Sequence, residues 1–212
     1  MVCACMAILA LILIPVISSI RERSLSTKCQ ANLREIGVLA KLYSNESQNN
    51  ILPMYYPKDD PNGLSLKHWT GLLAPYLNVD VEGNYYPSYD SQPLFICPAE
   101  PGIFGYGLNY LWLSPWTTEF GPGLRVKLIK QYKVAEPSNT VFITDVSLGE
   151  NRSWHPYVRP PSMWSDWTSE SISQVAFRHP GNTANVLWVD GHVSAETGDT
   201  PFTADDQLWD TE

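Results

Sequence analysis

The sequence lacks the short motifs that carry most enzyme chemistry. It contains no Gly-x-Ser-x-Gly nucleophile turn, no His-Glu-x-x-His metal-binding helix and no Gly-rich phosphate loop. Its four cysteines form no Cys-x-x-Cys pair, which argues against a zinc site built on thiolates. Internal repeats and low-complexity blocks are also absent. These absences favour a protein that is not an enzyme and that holds no cofactor.

Positive charge is scarce as well. Lys and Arg number 14 against 22 Asp and Glu, so the formal net charge is −8. Because an acidic surface repels phosphate backbones, we expect no nucleic-acid partner. What the chain does have is 212 residues, 44% of them apolar, together with 17 Pro and 13 Gly. That composition predicts one domain with a sizeable core and many turns, plus an appendage, rather than a helical bundle.

Charge is missing altogether from residues 1–20, MVCACMAILALILIPVISSI. A run of about 20 apolar residues is long enough to cross a bilayer. No basic region precedes it, as a cleaved secretory signal would require. In residues 21–48 the apolar side chains then recur at three- and four-residue steps, which is the helical period. We therefore predict one uninterrupted helix, with residues 1–20 as its membrane-spanning half and residues 21–48 as its amphipathic half.

The remainder, residues 49–212, is predicted to form a globular domain. Segments such as TVFITDVS (140–147) are strongly β-forming, and Pro- and Gly-rich loops separate them. The region 174–196 reads as three sequential strands, QVAFRH, ANVLWV and HVSAE. The predicted fold class is α+β, with the long N-terminal helix packed on an antiparallel β-sheet that carries long loops.

Two histidines flank an Asp-Gly pair near the end of the chain. Asp190 and Gly191 join two apolar segments, which is a strong hairpin signal, and both residues tolerate the positive φ that a type I′ turn demands. The preferred interpretation is structural: His179 hydrogen-bonds backbone in the sheet, and His192 opens the last strand. A metal shared by the two histidines would need further ligands, for which the candidates are Asp145, His155 and Asp190. Nothing in their spacing brings them together, so no metal is predicted.

Two loop regions offer weaker binding sites. The segment PKDDPNG (57–63) could hold calcium, although a Pro-Asn-Gly turn with solvated carboxylates is the preferred interpretation. Its ligands would be Asp59, Asp60 and Asn62. Three tryptophans that could form a carbohydrate-stacking platform, or simply cover loops, lie close together in the sequence: Trp154, Trp164 and Trp167.

The cysteines divide by context. Cys3 and Cys5 lie in the apolar run and behave as small hydrophobes. Cys29 and Cys97 lie in the polar part of the chain, and a disulfide between them is plausible if the domain occupies an oxidising compartment. Sequence separation alone does not show whether their Cα atoms come close enough to be bridged.

The two-part helix resembles the N-terminal helix of type IV pilins and type II secretion pseudopilins. The resemblance is to the prepilin-type subgroup whose C-terminal domain carries a processing-associated His–nine residues–Asp-Gly motif. Its landmarks in the helix are Pro15, Arg21 to Arg23, Cys29, Asn32-Leu33 and Ile36-Gly37. Its landmarks further on are Trp69, Pro75-Tyr76-Leu77, Cys97-Pro98, Tyr106 to Asn109, Pro137-Ser138 and Asp145.

The chain departs from the subgroup in two places. Its spacer between His179 and Asp190-Gly191 has ten residues instead of nine. It also lacks the basic leader, the Gly and Phe around the cleavage point and the Glu at the fifth mature position. On this alignment the leader and the first mature residues are missing, so either the true start lies upstream or this member is not processed.

The resemblance implies a structural and assembly role. The expected function is a membrane-anchored, pseudopilin-like subunit of a type II secretion or type IV pilus-like assembly in a bacterial cell envelope. The expected partners are the inner membrane, other pilin-like subunits through residues 1–20, and the secretion or pilus machinery. The chain would cross the inner membrane once, with its globular domain in the periplasm or at the cell surface. The alternative is a membrane-tethered extracytoplasmic binding module, for example for polysaccharide.

Overall fold

A computed structural model describes most of the chain. The described residues are 2–57, 66–78, 93–100, 105–117, 125–147, 157–164, 173–198, 202 and 206–211.

One helix, α1, runs from Val2 to Glu46 and continues through Pro15 without a break. The hydroxyls of Ser18 and Ser19 donate to carbonyls one turn earlier, at Pro15 and Val16. The predicted single long helix is confirmed, although it ends two residues before the predicted boundary. Among the residues that the structure describes, no helix combines the length and the hydropathy needed to cross a membrane.

The end of α1 is set by backbone conformation. Gln48 and Asn49 adopt left-handed φ values of 58° and 63°, which stop the helical hydrogen-bond pattern. The Asn49 N–H then donates back to the Ser44 carbonyl at 2.8 Å, as in a Schellman motif. Asn tolerates this conformation better than most residues, which explains why the helix ends at this polar stretch.

Short strands and helices follow α1. The strands are β1 (Tyr55–Pro57), β2 (Leu66–His68), β3 (Tyr106–Asn109), β4 (Trp116–Thr117), β5 (Arg125–Val126), β6 (Val141–Asp145), β7 (Tyr157–Val158), β8 (Thr183–Trp188) and β9 (Val193–Thr197). Among the described residues, the further helices are α2 (Trp69–Leu73) and α3 (Tyr110–Leu113), and 3₁₀ turns span Ala74–Leu77, Pro93–Phe95, Gln131–Lys133 and Pro161–Met163.

The main sheet has five strands in the order β7-β3-β6-β8-β9. Three of its four pairings are antiparallel, and β7 pairs with β3 in parallel. The α+β class is thus confirmed, but the expected wholly antiparallel sheet is wrong at this edge. The chain returns from β6 to the far side of β3 by a long connection, and that connection allows β7 to run in the same direction as β3.

Both faces of the sheet are covered. Along β8, Leu187 faces α1, whereas its neighbours Val186 and Trp188 face a second cluster that contains Phe202 and Trp209. The stripe of α1 that packs on the first face consists of Cys29, Leu33, Ile36, Leu39 and Ala40. Since the central strands are buried on both sides, apolar residues occupy adjacent positions in them, as at Val186, Leu187 and Trp188, rather than alternate ones.

Two segments predicted as strands have other structures. The segment 94–98 begins in a 3₁₀ turn, Pro93–Phe95, and prolines at 93 and 98 remove the N–H groups that a strand would use. The segment 174–179 makes only isolated bridges, at Val175 and His179. Its chain turns away at Gly181 and Asn182, which both have positive φ.

Candidate functional site

The Asp-Gly pair makes a hairpin of a different type from the one predicted. Only Gly191 has a positive φ, 98°, whereas a type I′ turn would require one at Asp190 as well. The Gly191 N–H donates to the Trp188 carbonyl at 2.9 Å, and the Trp188 N–H donates to the His192 carbonyl at 3.0 Å. This is a three-residue loop closed by a bulge at glycine, so Gly191 alone supplies the left-handed residue.

Asp190 and His192 form an exposed pair at this loop. The Asp190 carboxylate accepts the His192 backbone N–H at 2.9 Å and faces the ring Nδ1 at 2.7 Å. The imidazole stacks on Trp188, with ring centroids 5.5 Å apart and planes within 9°. Both side chains are more than a third exposed, so water screens their interaction and the pair serves to shape the loop.

His179 lies at the other end of β8 from His192. The strand between them spans five residue steps, about 16 Å at about 3.3 Å per step. A metal ion shared by the two histidines is therefore excluded by the fold. His155, one of the further ligands considered for that site, lies outside the described residues.

His179 belongs instead to a buried polar cluster with Asp145, the last residue of β6. Its Nε2 lies 3.0 Å from Asp145 Oδ2, and both side chains are almost fully buried. Its backbone N–H and carbonyl also form an isolated bridge with Thr183, outside the strands of the sheet. The side chain, however, makes a specific contact that the sequence interpretation did not include.

Asp145, at the end of β6, contacts both β8 and the segment that precedes β8. Its Oδ2 accepts the backbone N–H of Asn185 at 2.8 Å, and its Oδ1 lies 4.0 Å from Arg178 Nε. Arg178 also donates to the Val146 carbonyl. Within the described part of the chain, Oδ1 has no hydrogen-bond partner. A carboxylate buried with one oxygen unsatisfied costs free energy, so this position is unusual in a purely structural role.

A disulfide between Cys29 and Cys97 borders the cluster. Their Cα atoms are 5.3 Å apart, and the bond joins the packed half of α1 to the segment after the 3₁₀ turn at Pro93–Phe95. A Cβ on Gly105 would come within 2.7 Å of the Cys97 Cβ, so glycine is required for this close approach. The Cys97 Sγ is 3.7 Å from His179 Nε2.

Polar side chains of α1 complete the junction between helix and sheet. Gln30 Nε2 donates to Asn185 Oδ1 at 3.0 Å, and Asn32 Nδ2 donates to the Ile96 carbonyl at 3.0 Å. The Tyr106 hydroxyl lies 3.5 Å from the Cys29 carbonyl, and burial raises the pKa of this phenol well above its usual range, so it stays neutral. These bonds fix α1 on the sheet at one register.

A different feature dominates the first half of α1. Leu13, Ile14, Val16, Ile17 and Ile20 are all between 47% and 66% exposed. In the sequence this half begins with residues 2–14, which are all apolar, so its composition does not define a single apolar stripe with a polar opposite face. An exposed apolar surface of this kind is typical of an interaction surface.

Of the weaker sites predicted from loops, the described part of the chain contains only Trp164. The calcium candidates Asp59, Asp60 and Asn62 lie outside the described residues, and so do Trp154 and Trp167. Trp164 is half-buried, and its indole N–H donates to the Arg159 carbonyl at 2.8 Å. It therefore serves the packing of its own loop rather than an exposed stacking platform.

The convergence of Cys29, Cys97, Asp145 and His179 was not predicted from the sequence. These residues come from four separated segments, so no spacing rule could reveal it. One signal was present in the sequence. Cys29, Cys97 and Asp145 are landmarks of the resemblance to prepilin-type proteins, and His179 is the first residue of the His–Asp-Gly motif.

The chain was also compared with known proteins. It matches no family model, no curated protein and no solved structure.

Proposed function

We propose that the protein is a membrane-anchored, pseudopilin-like subunit of a type II secretion or type IV pilus-like assembly. The observation that carries this proposal is the division of α1 into two halves with different surroundings. From Cys29 onward one stripe of the helix is buried against the sheet, whereas the large apolar side chains at 13, 14, 16, 17 and 20 are exposed. In such a helix the second half is packed on the globular domain, and the first half is available to contact lipid or other helices.

In this proposal residues 1–20 anchor the subunit in the inner membrane until it assembles. They then exchange lipid contacts for packing against the same segment of neighbouring subunits. The globular domain lies outside the cytoplasm, and the Cys29–Cys97 disulfide supports an oxidising compartment. The role is mechanical, and the loops of the domain select its partners in the machinery.

The anchoring half of the proposal is tested with two double variants that are matched in spacing and charge. Leu9→Asp with Leu13→Asp places two carboxylates in the apolar half. Val38→Asp with Leu42→Asp places two at exposed apolar positions of the packed half. Each Asp at the centre of a membrane helix costs about 3 kcal/mol, so the first variant should leave membranes and the second should remain. The readout is the fraction of chain that stays with membranes after alkaline carbonate extraction.

Wild-type chain that is itself extracted by carbonate would contradict anchoring. Equal extraction of the two variants would also contradict it, because the effect would then come from charge alone. Circular dichroism of both variants checks that the domain remains folded.

The assembly half is tested with a photo-crosslinking residue at Ile17 and, as its control, at Val38. Both positions are 61% exposed in the isolated subunit. Assembly predicts adducts between copies of the chain from position 17. Adducts to lipid alone, in cells that contain the whole machinery, would favour the alternative, a tethered binding module that does not assemble.

A further inference from the structure

Ligand atoms of metal-binding type converge on one buried point where α1 meets the sheet. The sulfur atoms of Cys29 and Cys97 and a ring nitrogen of His179 all lie within 4.8 Å of one another. The same nitrogen, Nε2, is 3.7 Å from Cys97 Sγ and 3.0 Å from Asp145 Oδ2. All four residues are less than a tenth exposed.

We propose that this cluster is a zinc site in the reduced chain, with Cys29, Cys97, His179 and Asp145 as its four ligands. Zinc takes four such ligands in a tetrahedron, with Zn–S about 2.3 Å and Zn–N or Zn–O about 2.0 Å. These bond lengths give N···S edges of about 3.5 Å and N···O edges of about 3.3 Å. The observed N···S and N···O distances, 3.7 Å and 3.0 Å, lie within a few tenths of an ångström of these values.

The sequence argued against such a site because it contains no Cys-x-x-Cys pair. The fold nevertheless places two cysteine ligands side by side, although they are separated by 68 residues in the sequence. To accept the ion, the two sulfur atoms have to separate to about 3.8 Å across the tetrahedron, and the Asp145 carboxylate has to approach them. Asp145 is already supported from outside by the Asn185 N–H, as ligating carboxylates usually are.

Charge balance supports both states of the cluster. In the oxidised chain the Asp145 carboxylate faces Arg178, and the two charges cancel. In the zinc form two thiolates and one carboxylate surround a divalent ion, which leaves one negative charge for Arg178 to balance. Neither state buries a net charge, and this is the condition that a buried ionic cluster must meet.

The geometry does not fit a nucleophilic Cys–His–Asp arrangement. In such a triad the base contacts the nucleophile with one ring nitrogen and the orienting carboxylate with the other. Here Cys97 Sγ and Asp145 Oδ2 both face Nε2. Nδ1 of His179 has no hydrogen-bond partner among the described residues, so the carboxylate that would orient the ring in a triad is not at that nitrogen.

The disulfide and the zinc site exclude each other, and a dithiol reductant connects them. The reductant gives two electrons and two protons to the Cys29–Cys97 bond and becomes a disulfide itself. Zinc then replaces both thiol protons, which are released to solvent, and the proton on Nε2 moves to Nδ1, so that the imidazole binds zinc as a neutral ligand. The cluster thereby couples the redox state of the chain to its metal content.

An open cavity of about 280 Å³ reaches the cluster at His179. It lies between the middle of α1 and the turn before β8, and is lined by Glu22, Leu25, Ala99, Arg178, His179 and Pro180. Of the four residues of the cluster, only His179 lines this cavity, so an ion or a reductant approaches the cluster from the His179 side.

The test uses the full chain in detergent micelles with Cys3→Ala and Cys5→Ala, so that Cys29 and Cys97 are the only thiols of its four cysteines. One sample stays oxidised, and the other is reduced with a phosphine that is then removed under anaerobic conditions. Both are dialysed against micromolar zinc, and the bound metal is measured by elemental analysis. We expect one zinc per reduced chain and none per oxidised chain.

Ligand variants assign the site. His179→Gln and Asp145→Asn should each lower the affinity for zinc by about 10- to 100-fold or more. His192→Gln, at the exposed histidine of the hairpin, is the matched control and should bind as the parent chain does. Cobalt in place of zinc should give tetrahedral bands and a thiolate charge-transfer band only in the reduced parent and the control.

Two results would overturn the proposal. One is a reduced chain that zinc neither binds nor refolds. The other is equal zinc affinity in His179→Gln and His192→Gln. If a ligand variant fails to fold, the cobalt spectrum of the reduced parent decides, because an octahedral spectrum without a thiolate band contradicts the proposed ligands. Neither result bears on membrane anchoring, which is measured separately.

Discussion

The two halves of α1 use the same kinds of residue in the same backbone conformation and yet have opposite surroundings. Leu33, Ile36 and Leu39 are buried on the sheet, whereas Leu13, Ile14 and Ile17 are more than half exposed. The difference lies in the pattern. Apolar residues of the packed half recur on one stripe and alternate with polar ones, whereas residues 2–14 of the first half are apolar without interruption. Pattern rather than hydrophobicity decides which half joins the globular core.

This difference assigns separate roles to the two halves. The packed half should determine the stability of the domain, since its side chains are those that leave water on folding. The first half should contribute little to that stability and should act only when lipid or another apolar helix is present. Matched substitutions in the two halves test this division.

The largest effect is expected from the cysteines. Replacing Cys29 and Cys97 together by Ala opens a loop of about 68 residues, which should lower the free energy of unfolding by about 4 kcal/mol. Replacing Cys3 and Cys5 by Ala, in the apolar half, should change it by less than about 0.5 kcal/mol. Urea unfolding in micelles, followed by tryptophan fluorescence, measures both. Equal losses would remove the distinction between the halves.

The next effect compares two leucines of α1. Leu33→Ala should destabilise the domain by about 3 kcal/mol, because the side chain is fully buried and its removal leaves a cavity. Leu13→Ala should leave the free energy of unfolding within about 0.5 kcal/mol of the parent value. If Leu13→Ala proved as damaging as Leu33→Ala, the first half would have to fold back onto the domain.

Acid should weaken the packed region through His68, next to α2. Burial lowers the pKa of His68 to about 3, whereas the unfolded chain takes up this proton near pH 6.5. Stability from the neutral imidazole is therefore complete above about pH 6.5 and is lost as the pH falls towards 3, at no more than about 1.4 kcal/mol per pH unit. His68→Gln should flatten this part of the stability profile, and His192→Gln should not. Identical profiles for the two variants would contradict the burial of His68.

The smallest effect is expected at the C-terminal end of α1. The Tyr76 hydroxyl donates to Glu46 Oε2 at 2.7 Å, near solvent. Tyr76→Phe should lower the free energy of unfolding by about 1 kcal/mol or less, since an exposed hydrogen bond contributes little net stability. A loss above about 2 kcal/mol would mean that the end of the helix is held more firmly than its exposure indicates.

Much of the fold could be predicted from local patterns. The length of α1 and the hairpin at Asp190-Gly191 follow from helical periodicity and from turn residues, because both depend on neighbours in the sequence. The parallel pairing of β7 could not be predicted. A strand of two residues, Tyr157 and Val158, is too short to show an alternation of apolar and polar residues. The path of the long connection that leads to it depends on the whole sheet.

The candidate site was harder to predict than the fold. Asp145 and His179 meet because β6 ends beside the turn that precedes β8, and this is a property of strand order rather than of spacing. The hairpin type was mistaken for a related reason. Asp-Gly is compatible with two loops, and the bulge at Gly191 is selected by the pairing of Leu187 with Val193.

The central claim is that one continuous helix has a lipid-facing half and a domain-packed half. Its most direct test places a nitroxide at Ile14 or at Val38, which are similarly exposed at 66% and 61%, and measures collisions with oxygen and with a water-soluble nickel complex in lipid nanodiscs. The account predicts that the label at 14 meets mainly oxygen, as in a bilayer, and that the label at 38 meets mainly nickel. A label at 14 that meets nickel as readily as the label at 38, or that is shielded from both reagents, would contradict it.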